Sequence, residues 1–117
     1  MRYFPVFMDV DRARIVVVGG GEAAAQKLRL LVKTTAAIRV VAQAPNAAVR
    51  ALVRDCGGEL IEARFSPNHL AGARLVFAAS DDADERAVVA AAAWTLGAPV
   101  NAVDLPAISS FTMPAIV

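Results

Sequence analysis

The sequence predicts an α/β fold in which a doubly wound parallel sheet lies between two layers of helix, a three-layer αβα arrangement. Short aliphatic runs such as Ile15-Val16-Val17-Val18 have the look of strands covered on both faces. These runs alternate with longer segments of helical spacing, which is the pattern of βαβ units. The 117 residues fit one domain, residues 1–117, with a single core.

Taken in order, Arg2–Val10 mixes aromatics with Pro5 and reads as a short extended piece, with Asp9-Val10-Asp11-Arg12 as a turn. A strand is expected over Arg14–Val18. Gly19-Gly20-Gly21 then opens a helix over about Glu22–Lys33, with Ala24, Leu28, Leu31 and Val32 on one side. Ile38–Val41 is a second strand. Ala44-Pro45-Asn46 breaks the chain before a helix carrying Val49, Leu52 and Val53 at i, i+3, i+4, and Gly57-Gly58 ends it. Leu60–Phe65 reads as a third strand, and Ser66-Pro67-Asn68 starts a single helical turn finishing near Gly72. Leu75–Ala79 is the next buried strand. An Ala-rich helix over Asp84–Leu96 closes at Gly97, and Pro99 leads into a strand over Val100–Val103. Ser109–Val117 is apolar but contains Pro114, so a strand there has to lie at an edge or end early.

Composition excludes several classes of function. The net charge is +1 and the 12 Lys and Arg are scattered, which argues against a nucleic-acid surface or an anionic membrane. No apolar run reaches the length of a membrane span. Met1-Arg2-Tyr3-Phe4-Pro5 lacks the charged-then-apolar pattern of a secretory leader, so the expected compartment is the cytoplasm. Cys56 is alone, which rules out an intrachain disulfide and a Cys-based metal site within the chain, and it reads as a small buried thiol at a helix end. No metal ligand set is expected.

In a doubly wound sheet, ligands bind outside the carboxyl ends of the strands. That places function at Gly19–Gly21, Ala42–Ala44, Ser80-Asp81 and Asp104. Gly19-Gly20-Gly21-Glu22-Ala23-Ala24 fits G-x-G-x-x-(G/A), the fingerprint of a Rossmann-type dinucleotide site. The first glycine makes the tight turn, the second admits a pyrophosphate, and Ala24 allows close helix–strand packing. The pyrophosphate would then sit on the helix N-terminus, where free N–H groups and the helix dipole favour an anion. The acidic residue that holds the ribose hydroxyls in many such sites is absent from Ala42-Gln43-Ala44, leaving Gln43 or backbone for that task. No Arg falls in Ala42–Pro45 to recruit a 2′-phosphate, which favours NAD over NADP. Asp81-Asp82 has two readings, a cap on the following helix or a ligand contact. His69 reads as a solvated side chain and Trp94 as core. Asp104 is the remaining carboxylate at a strand end, either a base or a turn residue bonding backbone N–H groups.

Five blocks of sequence together resemble the N-terminal module of siroheme synthase and the stand-alone precorrin-2 dehydrogenases. They are Tyr3-Phe4-Pro5-Val6-Phe7, Val17-Val18-Gly19-Gly20-Gly21 with Lys27 and Arg29 downstream, Ala78-Ala79-Ser80-Asp81-Asp82, Asn101-Ala102-Val103-Asp104, and Ser110-Phe111-Thr112-Met113-Pro114-Ala115-Ile116. The resemblance implies that NAD⁺ accepts a hydride from precorrin-2 to give sirohydrochlorin, and that many relatives then insert Fe²⁺, a substrate, in the same cleft. It implies that Asp104 is the catalytic carboxylate and sets the cofactor against Glu22, Ala23, Gln43 and Ala44. It also implies a homodimer, because the family continues into a dimerisation segment and a small helical domain that this sequence does not include. If Ser109–Val117 leads into that segment, Phe111, Met113, Ile116 and Val117 are expected to be exposed. Two departures are Arg86, where relatives often place Asn, and Thr34-Thr35 in place of an Ala-Gly helix end. Two other functions compete: a non-catalytic NAD(H)-binding regulatory module, which has no need of a base at Asp104, and a structural remnant that serves beside another chain.

Overall fold

The computed structural model describes residues 1–114. The five strands are β1 (Arg14–Val18), β2 (Ala37–Val41), β3 (Glu59–Ile61), β4 (Ala73–Ala78) and β5 (Val100–Ala102). Three helices join them: α1 (Glu22–Leu31), α2 (Ala47–Cys56) and α3 (Ala83–Leu96). All neighbouring strands pair in parallel, in the order β3-β2-β1-β4-β5. The strand order reverses at β1, so the switch point lies where the glycine turn leaves the sheet.

Strand alternation distributes the core between two faces. Ile15, Val17, Ile38, Val40 and Phe77 pack against Ala24, Ala25, Leu28, Val49 and Val53 of α1 and α2. Val16, Val18, Val41, Val76 and Val100 pack on the other face against Val89, Ala90 and Ala93 of α3 and against Leu70. This is the expected three-layer arrangement. Arg39 interrupts the apolar run of β2, and its guanidinium is held by Glu59 at 2.9 Å and by the His69 carbonyl at 3.0 Å.

Several boundaries differ from the sequence reading. α1 stops at Leu31 rather than Lys33, because Lys33 and Thr34 turn back onto the Leu30 and Leu31 carbonyls. β3 is three residues long rather than Leu60–Phe65, since as an edge strand it pairs only with Arg39–Val41 of β2. The next strand begins two residues earlier than expected, at Ala73, and β5 ends at Ala102. Residues 109–114 form no strand; Ser109 and Ser110 instead cover the outer edge of β5, their hydroxyls accepting from the Ala102 and Val100 N–H groups at 2.9 and 2.6 Å. Phe111 and Met113 are half-buried against the core rather than exposed, with Phe111 edge-on to Phe77 at 5.6 Å. The expectations for Ile116 and Val117 lie outside the described residues.

Three single-residue readings also change. Trp94 is exposed on α3, where its indole N–H donates to the Ile108 carbonyl at 2.9 Å. Cys56 is exposed at the end of α2. His69 is half-buried rather than solvated, and its Nδ1 accepts from the Ser66 N–H at 3.0 Å to cap a short turn over Pro67–Leu70.

Candidate functional site

β1 ends in the buried Val18, and the chain turns at Gly19, whose φ is +146°. A side chain there would collide with the backbone of Ala79 and Ser80. The turn is held on both sides by backbone: the Gly19 N–H donates to Val41 at 2.9 Å, and the Ala79 N–H donates to Val18 at 2.8 Å. Gly20 lies against the loop after β2, where its carbonyl accepts from Asn46 N–H at 2.8 Å and a Cβ would stand 2.8 Å from Pro45 Cα. Gly21 is the residue before α1, in extended backbone, and a Cβ on it would meet the Asp81 carboxylate.

The three helices differ at their N-termini. Asn46 caps α2 by accepting from Val49 N–H, and Asp82 caps α3 by accepting from Asp84 N–H, both at 2.9 Å. Gly21 has no side chain to cap α1. The first N–H groups of α1 are therefore left for an external anion, which the helix dipole favours.

Above this turn opens a cleft of about 600 Å³ along the carboxyl ends of β1, β2, β3 and β4, within the usual range for a small-molecule site. It is lined by Gly19, Gly20, Gly21, Gln43, Ala44, Ser80 and Asp81, so seven of the sequence-predicted residues share one cavity. Asp82, the other half of the Asp81-Asp82 pair, lines it too, and so do Asn46, Arg64, Phe65 and Glu85, which the sequence did not place there. Phe65 and Arg64 were missed because they were read as part of a strand. Ending β3 at Ile61 turns them into loop residues beside the end of β2, which the edge position of that strand explains.

Ser80 is buried, and its hydroxyl accepts from the Asp82 N–H at 3.1 Å. Arg86 donates to the Ser80 carbonyl at 2.7 Å, fixing the loop after β4 from behind. Asp82 takes the capping role, whereas Asp81 faces Gly21 across the cleft. Glu22 and Ala23 do not line the cavity. The Glu22 side chain turns along α1 to Arg29 at 2.7 Å, and that hydrogen bond holds its carboxyl below the ordinary range while raising Arg29.

Asp104 follows β5 in a tight turn closed by Leu105 N–H to Ala102 at 3.0 Å, and Val103 N–H ties that turn to the end of β4 at 3.0 Å. Its φ is +60°, a left-handed conformation that Asp tolerates better than most residues. The carboxylate is exposed and bonds no backbone N–H among the described residues, so what Asp104 gives the turn is its left-handed backbone rather than a side-chain hydrogen bond. It stands on the same edge of the sheet as the cleft, one strand beyond Ser80, and outside the cleft lining. Among the described residues no group of three His, Cys, Asp or Glu side chains is placed to hold a metal ion. No helix among them is long and apolar enough to cross a membrane.

Comparison with known proteins agrees with this geometry. NAD_binding_7, a family of NAD(P)-binding domains, matches residues 6–115. Siroheme synthase of Pseudomonas putida (strain W619) is 45% identical over all 117 residues, and those of Pseudomonas fluorescens (strain Pf0-1) and Pseudomonas aeruginosa (strain UCBPP-PA14) are 44% and 43% identical. The chain spans 25% of the length of these curated relatives. Among solved structures, SirC, a precorrin-2 dehydrogenase, superposes with a TM-score of 0.81 at 20% identity, over 97% of this chain and 55% of that one. Saccharopine dehydrogenase from Saccharomyces cerevisiae follows with a TM-score of 0.60 at 18% identity, over 75% of this chain and 21% of that one. At those identities the structural likeness establishes the fold.

Proposed function

The chain belongs to the NAD(P)-binding family NAD_binding_7, and from that premise we propose that it is the dinucleotide-binding module of an enzyme that oxidises precorrin-2 to sirohydrochlorin with NAD⁺. The observation that carries this reading is the uncapped N-terminus of α1 opening into a cleft whose floor is glycine, with the exposed carboxylate of Asp104 one strand beyond it. The likeness to siroheme synthases over the whole chain supports the substrate.

The residues present fit a dinucleotide. Gly20 and Gly21 line the cleft, and the N–H groups at the start of α1, which no side chain caps, would receive the pyrophosphate. Gln43 and Ala44 line the β2 side of the cleft and would hold the adenosine ribose, and Ser80 and Asp81 line the β4 side and would face the nicotinamide half. When bound, NAD⁺ supplies the hydride acceptor. Oxidation of precorrin-2 releases one hydride and one proton, and the Asp104 carboxylate takes the proton. Iron insertion into sirohydrochlorin releases two further protons from ring nitrogens, and the same carboxylate serves there with Fe²⁺ as substrate. The likeness to siroheme synthases supports a cytoplasmic homodimer of the full-length protein, to which the exposed Phe4, Phe7, Trp94 and Leu96 offer apolar surface.

Anaerobic incubation of the full-length protein with precorrin-2 and NAD⁺ tests the reading. The expected result is sirohydrochlorin and NADH in equal amounts. Dinucleotide binding without sirohydrochlorin would instead favour the regulatory-module reading.

A further inference from the structure

We infer that Arg86 is a positioning residue for the proposed oxidation: its guanidinium fixes the joint at Ser80 on which the glycine turn and the Asp104 turn both depend. The inference rests on the function proposed above and adds a residue that acts through Ser80 rather than on the reacting atoms. Arg86 lies near the start of α3, the end of a helix at which the dipole disfavours a cation. It is half-buried, and its Nε is shut away from solvent with no hydrogen-bond partner among the described residues. A buried donor left unpaired is destabilising. Against these two disadvantages stands one short, charge-assisted bond, from Arg86 Nη1 to the Ser80 carbonyl at 2.7 Å.

Ser80 is where the contacts of both turns meet. On one side the Ala79 N–H donates to Val18 at 2.8 Å, and the backbone of Ala79 and Ser80 lies so close to Gly19 that no Cβ fits between them. On the other side the Ala78 carbonyl accepts from the Val103 N–H at 3.0 Å, which seats the turn carrying Asp104. The Ser80 hydroxyl accepts from the Asp82 N–H at 3.1 Å and so orders the loop leading into α3. That helix packs through Val89, Ala90 and Ala93 on Val76 of β4 and Val100 of β5. Arg86 therefore pins the loop to the helix that lies across both strands, and a shift of Ser80 changes the separation between the glycine turn and Asp104. A misplacement of about 1 Å is enough to lower a rate about 10²-fold. Because Nε is unpaired, the planar fork of the guanidinium is not used, and a single donor of similar reach suffices.

The test compares the full-length protein with Arg86→Met, which keeps the apolar stem and removes the donor, and with Arg86→Lys, which restores one donor. Thermal melting shows whether each is folded. Without ligands, amide hydrogen exchange at Asp82 and Val103 should quicken about tenfold in Arg86→Met, the loss of one charge-assisted bond, and return toward wild type in Arg86→Lys. With NAD⁺ and precorrin-2, kcat for sirohydrochlorin formation should fall about tenfold or more in Arg86→Met, while the Kd for NAD⁺ and the KM for precorrin-2 change by less than about twofold. Arg86→Lys should recover kcat to within about threefold of wild type, and it decides alone if Arg86→Met does not fold. An unchanged kcat in Arg86→Met, or a tenfold fall in Arg86→Lys, would overturn the inference. A raised KM for precorrin-2 at unchanged kcat would also overturn it, by making Arg86 an anchor for a substrate carboxylate. A wild type that forms no sirohydrochlorin would overturn the proposed function and this inference with it.

Discussion

The two sides of the glycine turn are built from different materials. Toward β2 the wall is backbone: Gly19 and Gly20 bond Val41 and Asn46 through main-chain groups, and Pro45 presses against Gly20. Toward β4 and β5 the wall is side chain, with the buried Ser80 followed by the exposed Asp81, Asp82 and Asp104. A backbone wall holds a shape and offers little to titrate. A wall of carboxylates holds charge and protons. Binding and chemistry are thus separated along one edge of the sheet, and substitutions on the two sides should fail in different ways.

The largest expected effect is on the acidic side. Asp104→Asn in the full-length enzyme should lower precorrin-2 oxidation by about 10² to 10⁴, the usual contribution of a positioned base, and leave dinucleotide affinity unchanged. Anaerobic sirohydrochlorin absorbance measures the rate, and turnover near wild type would remove Asp104 from the chemistry. On the backbone side, Gly19→Ala should damage the fold before any ligand is considered. Its φ of +146° and the collision with the Ala79 carbonyl combine backbone strain with overpacking, at a cost of about 3 kcal/mol or more. Thermal melting should show a fall of more than about 10 °C; a melt within a few degrees of wild type would show that the turn yields.

Gly21→Val probes the boundary between the two walls. Gly21 lies in extended backbone that any residue adopts, and the nearest atoms to its added Cβ belong to the movable Asp81 side chain. The fold should therefore survive while NADH affinity falls at least about tenfold, since the new side chain occupies the approach to the α1 N–H groups. Unchanged affinity in a folded variant would remove the pyrophosphate from this turn. The smallest effect is expected at Ser110→Ala, which strips the hydroxyl from the outer edge of β5. The loss should be about 1 kcal/mol, the net worth of one such hydrogen bond, read by urea unfolding.

The backbone side was legible in the sequence and the side-chain side less so. Strand, glycine turn and helix announce themselves through aliphatic runs and through residues that only special backbone requires, as at Gly19. The Asn46 break and the Gly97 close to α3 were legible for the same reason. Arg64 was hidden because a strand read through Phe65 conceals a loop, and an edge strand needs only three paired residues to exist. Trp94 misled because α3 is alanine-rich around its circumference, so no single apolar face shows which side is core. The pairing of Ser109 and Ser110 with β5 is a long-range contact that no local periodicity signals.

Backbone amide NMR during titration with NAD⁺ tests the dinucleotide site most directly. Saturable shifts are predicted at Gly20, Gly21, Glu22 and Ala23, with weaker ones at Gln43, Ala44 and Ser80. Shifts confined to a separate cavity lined by Leu70, Arg74 and Gly97, or no saturable shift at all, would contradict a cofactor seated on the N-terminus of α1.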